Sequence, residues 1–162
     1  MDGALISVSP ATEHDREFSF QVKKAAEGEL IAAVFGWNEE FEREFHANEW
    51  RDKRPDIIRY DGTPVGTIRT RVEEGCLHIG QFFILPEYQN RGIGSYLLGA
   101  ALGKADHAGI TARLAFLEGN RAESLYRRFG FEVLARRDKF CHMERRPRAA
   151  QGKSNAGGGS TT

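Results

Sequence analysis

The chain has 162 residues, enough for one domain with a real hydrophobic core, and 40% of them are hydrophobic and 28% charged. Basic and acidic side chains number 23 each, so no global field draws the protein toward nucleic acid or an anionic membrane. No apolar run approaches the ~20 residues that a bilayer span requires.

The opening Met1-Asp2-Gly3-Ala4 lacks the basic-then-apolar pattern of a secretory signal, so the expected location is the cytoplasm. Residues 5–8 read as a short strand. Residues 15–33 carry a helical apolar pattern through Phe18, Val22, Ala25, Ala26 and Leu30. The pattern restarts at Gly36 as a second helix. Trp37, Phe41 and Phe45, four apart, are its expected core face, and Glu39 and Glu40 its solvated face. Pro55 ends that region.

Strands follow. Residues 57–60 lead into Asp61-Gly62, a strong hairpin signal, and residues 65–72 return. Glu74-Gly75 turns the chain into a strand over 77–85. Its Phe82-Phe83-Ile84-Leu85 end is apolar on both faces, which predicts cover from both sides. A helix is expected over 92–108, with Ile93, Leu97, Ala101 and Ala105 on one face and Gly109 as its stop. Residues 111–117 form the next strand. Asn120 caps a short helix, with Glu123 placed for a capping box. Its buried stripe is Ala122, Leu125, Tyr126 and Phe129. Gly130 stops it, and two short strands close the domain near 131–134 and 139–143.

The order β-α-α-β-β-β-α-β-α-β-β predicts a single α/β (α+β) domain over residues 1–145, a mixed sheet with helices on both faces. Residues 146–162 are rich in Gly and Ser and poor in large apolar side chains, so a disordered tail is expected there. Cys76 and Cys141 lack CxxC or Cys/His spacing, so free thiols and no metal are expected.

Chemistry concentrates at Pro86-Glu87-Tyr88-Gln89-Asn90-Arg91-Gly92-Ile93-Gly94-Ser95. A buried strand ends, crosses a short loop and enters a helix through two glycines. A helix N-terminus carries unpaired amide donors and about half a positive charge. Glycines remove side chains that would hold a phosphate away from those amides, and Asn90, Arg91 and Ser95 add donors. A Walker loop would need Gly-Lys-Ser/Thr, but Ser95 follows Gly94 directly. A dinucleotide fingerprint would need a third glycine, where this chain has Leu97.

Gln89-Asn90-Arg91-Gly92-Ile93-Gly94 resembles motif A of the GNAT superfamily of N-acetyltransferases, Gln/Arg-x-x-Gly-x-Gly/Ala. Asn120-Arg121-Ala122-Glu123-Ser124-Leu125-Tyr126, running on to Gly130-Phe131, resembles the family's motif B. The two occur in the family's order, separated by a helix and a strand. The resemblance covers about residues 57–143 well and the first two helices loosely.

That resemblance implies a GNAT fold, a twisted, mostly antiparallel sheet whose two central strands splay. Acetyl-CoA is the implied co-substrate. Its pantetheine arm would lie in the splay, pairing with the backbone of Phe82, Phe83 and Ile84. One of those amides would polarise the thioester carbonyl. The amides from Asn90 to Ser95 would hold the pyrophosphate. Asn120 matches a residue near the pantetheine, besides its capping role. The implied reaction is direct attack of an amine on the thioester. Tyr126 matches the family's tyrosine that serves the leaving thiolate. With a phenol pKa of about 10 and a thiol pKa of about 8.5, full proton transfer is uphill by roughly 2 kcal/mol, so Tyr126 is expected to act mainly as a hydrogen-bond donor.

The base is open. Some family members carry a glutamate in the strand before motif B, and here Ala115 stands five residues before Asn120. Gln81, Glu118, His78 and an ordered water are the candidates. In the family the first two helices and their loop cover the acceptor. Here that region is Phe35-Gly36-Trp37-Asn38-Glu39-Glu40-Phe41, with His46 and Trp50 beyond. The expected partners are acetyl-CoA and an amine of a small molecule or peptide, in a monomer or homodimer. An acyl-CoA-binding sensor without turnover is the alternative.

Overall fold

The structure, a computed structural model, describes residues 3–149. Strand β1 (Ile6–Pro10) precedes two helices, α1 (Arg16–Phe35) and α2 (Glu39–Asp52). Strands β2 (Asp56–Tyr60), β3 (Thr63–Glu73) and β4 (Cys76–Ile84) follow as a meander. Helix α3 (Ile93–Ala108), β5 (Thr111–Leu117), α4 (Ala122–Arg128), β6 (Glu132–Arg137) and β7 (Phe140–Arg145) complete the predicted order. One sheet runs β1-β2-β3-β4-β5-β7-β6, antiparallel throughout except for the parallel pair β4 and β5.

The sheet separates two cores. Ile57 and Ile58 are neighbours on β2 and both fully buried, because successive strand residues face opposite sides. Ile58 joins the cluster that holds Leu97, Leu98 and Leu102 of α3 and Tyr126 of α4. Ile57 packs with Trp50 of α2, Phe18 of α1 and Ala11. So α3 and α4 cover one face, and α1 and α2 the other. Full burial of side chains such as Leu98 stabilises by about 1.5–3 kcal/mol each.

The parallel pairing is short. It runs from Cys76↔Thr111 to Ile79↔Leu114 and stops. Beyond it β4 stays with β3 as far as Ile84↔Gly66, and β5 stays with β7 as far as Leu117↔Phe140. The sheet parts there, as the implied splay requires. A bulge marks the parting. Thr67 pairs with Phe83 and Arg69 with Gly80, so Ile68 stands opposite two residues, Gln81 and Phe82. Gln81 takes the left-handed conformation at φ 46°. Phe82, Phe83 and Ile84 are consequently half-buried, not covered on both faces as their apolar run predicts.

Two local expectations change. On α2, Phe41 and Phe45 stack with centroids 6.4 Å apart and are 61% and 45% exposed, while Glu42, His46 and Trp50 are buried. The stripes 41/45 and 42/46/50 share one period, so periodicity does not choose between them. The choice is made by α1, whose Ser19 lies 3.1 Å from His46 Nε2 and whose Phe20 meets the same ring at 5.5 Å. Trp37 is half-buried and donates through Nε1 to Glu39 at 2.9 Å. At α4, Asn120 Oδ1 accepts from Ala122 N at 2.9 Å, but Glu123 pairs with Arg127 and Arg136, so no capping box closes. The helix ends as expected at Gly130, φ 94°, with Phe131 N donating to Tyr126 O at 3.1 Å. Within the expected tail, Arg148 N donates to Asp106 at 2.8 Å. Residues 150–162 lie outside the described residues.

Candidate active site

After β4 a 3-10 turn, Pro86–Tyr88, carries the chain to the glycine segment. Gln89 folds back and donates through Nε2 to Ile84 O at 2.8 Å, tying the loop to the strand end. Asn90 at φ 62° and Gly92 at φ 84° turn the backbone into α3. The first helical bond runs from Tyr96 N to Gly92 O at 3.0 Å. The amides of Ile93, Gly94 and Ser95 therefore open outward at a positive helix end. Gly92 answers a backbone demand, since a side chain at that φ is strained. Gly94 lies against the wall of the gap: a Cβ there would meet Leu125 at 3.6 Å, Ile84 at 3.7 Å and Phe82 at 3.8 Å, all ordinary contact distances.

The parted sheet opens into a cleft of about 710 Å³, a size typical of ligand sites. It is lined by Phe82, Phe83 and Ile84 of β4 and by Gln89, Asn90, Gly92, Gly94 and Ser95 of the helix start. Asn120 and Tyr126 line it from the region of α4. The segments identified by their motifs thus share one cavity. Two of the expected residues stand off from it. Ile93 is 1% exposed within the core and has only its amide to offer. Arg91 places its guanidinium 5.0 Å from the centre of the Tyr88 ring, and Tyr88 lines the cleft.

Tyr126 is 5% exposed, between Phe116 at 5.5 Å and Phe131 at 5.9 Å. Its hydroxyl has no hydrogen-bond partner among the described residues. Burial, with the charge of Glu27 adding to it, pushes the phenol well above its ordinary value. Tyr126 therefore stays protonated and has a free O–H to donate.

The candidate bases do not gather here. His78 pairs with Arg71 and Arg113 on the stretch of β4 that precedes the parting. Glu118 is bound by Arg136 and does not line the cleft. Gln81 sits on the bulge and donates through Nε2 to Lys53 O at 2.6 Å. Glu118, Glu123 and Cys141 bring possible ligand atoms within 4.8 Å of one another, but Arg136 holds both carboxylates. A residue that sequence reasoning passed over does line the cleft: Glu27 of α1, beside Ala26 and Leu30. Its only signal in the sequence is a carboxylate bordering the apolar stripe Val22, Ala26 and Leu30. At the far end of α1, Phe35 stacks on Phe140 with centroids 6.3 Å apart.

The sequence pattern of the acetyltransferase (GNAT) family matches residues 14–131. Solved structures share the fold at low identity. A PaiA N-acetyltransferase from Thermoplasma acidophilum, in complex with coenzyme A, is 20% identical at a TM-score of 0.68, covering 87% of this chain and 98% of its own. The ribosomal-protein-S18-alanine N-acetyltransferase of Escherichia coli is 19% identical at 0.64, covering 90% and 97%. An N-acetylglutamate synthase from Neisseria gonorrhoeae, complexed with coenzyme A and L-arginine, is 17% identical at 0.58, covering 88% of this chain and 33% of its own. No curated protein sequence matches the chain. Both motifs lie within the matched span and face one cleft in the fold these structures share, and this chain belongs to the acetyltransferase (GNAT) family.

Proposed function

We propose that the protein transfers the acetyl group of acetyl-CoA to a primary amine of a small molecule or peptide by direct attack on the thioester. The observation that carries this reading is the continuity of one cleft. It joins the bare amides at the start of α3, the β4 edge left unpaired by the parting, and the unbonded hydroxyl of Tyr126. Acyl-CoA chemistry needs a site for the pyrophosphate, a strand for the amide-bearing arm and a donor for the sulfur.

The residues fit that co-substrate. Gly94 leaves the start of α3 without a side chain beside Leu125, Ile84 and Phe82 of the cleft wall, so its amide is approachable. The amides from Asn90 to Ser95 would hold the pyrophosphate by hydrogen bonds aided by the helix end. The backbone of Phe82, Phe83 and Ile84 would pair with the pantetheine amides, and one of its N–H groups would bind the thioester oxygen as charge develops there. Tyr126 donates to the sulfur. Its raised pKa disfavours giving the proton away early, while a thiolate in the same dry site is itself made more basic by desolvation. The hydrogen bond therefore forms first, and the proton moves as the C–S bond breaks.

The acceptors named for the fold neighbours differ widely, so the fold does not select among amines. The test is acetyl-CoA binding measured by calorimetry, followed by amine-dependent thiol release. Tight binding with no release on any amine would favour the sensor reading.

A further inference from the structure

Attack by nitrogen requires an unprotonated amine, and the acceptor arrives as an ammonium. The glutamate that some family members carry is replaced by Ala115, Glu118 is held by Arg136, and His78 lies before the parting. We infer that Glu27 receives the acceptor's ammonium in the cleft and takes the proton that nitrogen must lose before it attacks the thioester. The inference rests on the acetyl-transfer reading above and assigns it a catalytic acid–base residue and a cationic acceptor.

The argument is geometric. Helix α1 belongs to the sheet face that also carries α2, as the packing of Phe18 against Trp50 and Ile57 shows. Tyr126 belongs to the opposite core. Glu27 and Tyr126 nevertheless line the same cleft, because the sheet has parted between them. A thioester in that gap would present its sulfur to Tyr126 and leave the α1 side of its carbonyl to the nucleophile. Tyr126 also feels the charge of Glu27, which places the two within electrostatic reach.

The carboxylate is uncommitted. Other acids of this layer are bound: Glu17 by Arg43 at 2.9 Å, and Glu39 by Lys24, Trp37 and Arg43. Glu27 has no hydrogen bond or ion pair among the described residues. The groups that face it are Lys23 on its own helix, Glu42 and Glu49 from α2, and Tyr126 from α4, and Glu29, Arg121 and Arg128 share the cleft with it. Lys23 acts on Glu27 at a distance, opposing the effect of burial, while its ammonium lies 3.9 Å from Glu49 and 4.6 Å above the Phe45 ring. The charged side chains that line the cleft balance overall, but the two acidic ones, Glu27 and Glu29, both lie on α1, while Arg121 and Arg128 lie at the two ends of α4, so an ammonium guest is suited to the α1 side. Burial raises the carboxyl above the usual carboxylate range, which makes it a stronger base than an exposed glutamate.

The step balances. One ammonium proton passes to a Glu27 oxygen and later to solvent. The freed lone pair forms the N–C bond, and the C–S bond breaks with its electrons on sulfur. Tyr126 gives its proton to that sulfur, making the thiol; the second proton of the nitrogen passes to solvent, and solvent returns one proton to Tyr126. The products are the amide, free CoA and one proton.

The experiment compares the full-length protein with Glu27→Gln and Glu27→Asp. The acceptor probes are an alkyl diamine, an amino sugar, lysine and short peptides with free α-amino ends. Glu27→Gln should lower kcat/KM for the amine by on the order of 10²-fold and remove the acid limb of its pH profile. Acetyl-CoA affinity should stay unchanged, and Glu27→Asp should retain part of the rate. Because the ionised, half-buried carboxylate costs stability at neutral pH, Glu27→Gln should melt no lower than the parent. An unchanged kcat/KM with the acid limb intact would overturn the assignment. So would loss of acetyl-CoA affinity in parallel with the rate, which would make Glu27 a cleft-shaping residue. If the parent protein releases no thiol with any amine, the acetyl-transfer reading fails first and this assignment with it.

Discussion

The Thr67 hydroxyl donates a 2.8 Å hydrogen bond to the carbonyl of Gln81, across the β3–β4 ladder at the point where it slips register. Thr67 is 1% exposed, so this bond is shielded from water. On its other side Gln81 reaches Lys53 O at 2.6 Å. The two bonds fix the bulge that turns Phe82, Phe83 and Ile84 toward the cleft, a common use of bulges beside active sites.

Replacing Thr67 with Val keeps the shape and removes the donor. A buried carbonyl left unpaired costs about 1–3 kcal/mol. Thr67→Val should lower the denaturant midpoint and weaken acetyl-CoA binding together, as read by chemical unfolding and calorimetry. An unchanged affinity would detach the bulge from the site.

The two motif glycines should respond differently. Gly92→Ala forces a side chain into the left-handed region at φ 84°, at a cost of about 1–3 kcal/mol, and bends the amides away from the pyrophosphate. Acetyl-CoA affinity should fall. A Cβ at Gly94 finds ordinary contact distances from 3.6 Å, and Gly94→Ala should be the milder change in the same titration.

Stability should depend on pH through His46. Burial, with Lys23 and Arg16 nearby, lowers its pKa from 6.5 to about 4. The unfolded chain binds the proton first, so stability is full above about pH 6.5 and falls as pH drops toward 4. Thermal midpoints across that window should decline, and His46→Phe should flatten the decline. Glu17 and Glu39, both lowered to about 2, act in a lower window, from 4.5 downward. They are largely exposed, so screening makes their share small.

The order of strands and helices, the helix start at Gly92 and the stop at Gly130 could be read from the chain, because glycine, turn dipeptides and local periodicity act over a few residues. The face of α2 could not. Phe41/Phe45 and Glu42/His46/Trp50 satisfy the same spacing, and only contact with α1 chooses the second. Glu123 matches a capping box in sequence, but Arg136, thirteen residues on, draws its carboxylate away. Glu27 escaped notice for the same reason. A glutamate beside an apolar stripe is ordinary until the parting of β4 and β5 shows that α1 crosses a cleft there. Phe82 to Ile84, apolar on both faces, look like a fully covered strand because the opening between strands 4 and 5 is a long-range fact.

The most direct test of the account is thiol release from acetyl-CoA, with and without each amine of the panel, in the parent protein and in Tyr126→Phe. The account predicts release that depends on the amine, a lower kcat in Tyr126→Phe, and the same acetyl-CoA affinity in both. Amine-dependent release at an unchanged rate in the variant would remove Tyr126 from the chemistry. No release despite tight acetyl-CoA binding would contradict the transfer itself.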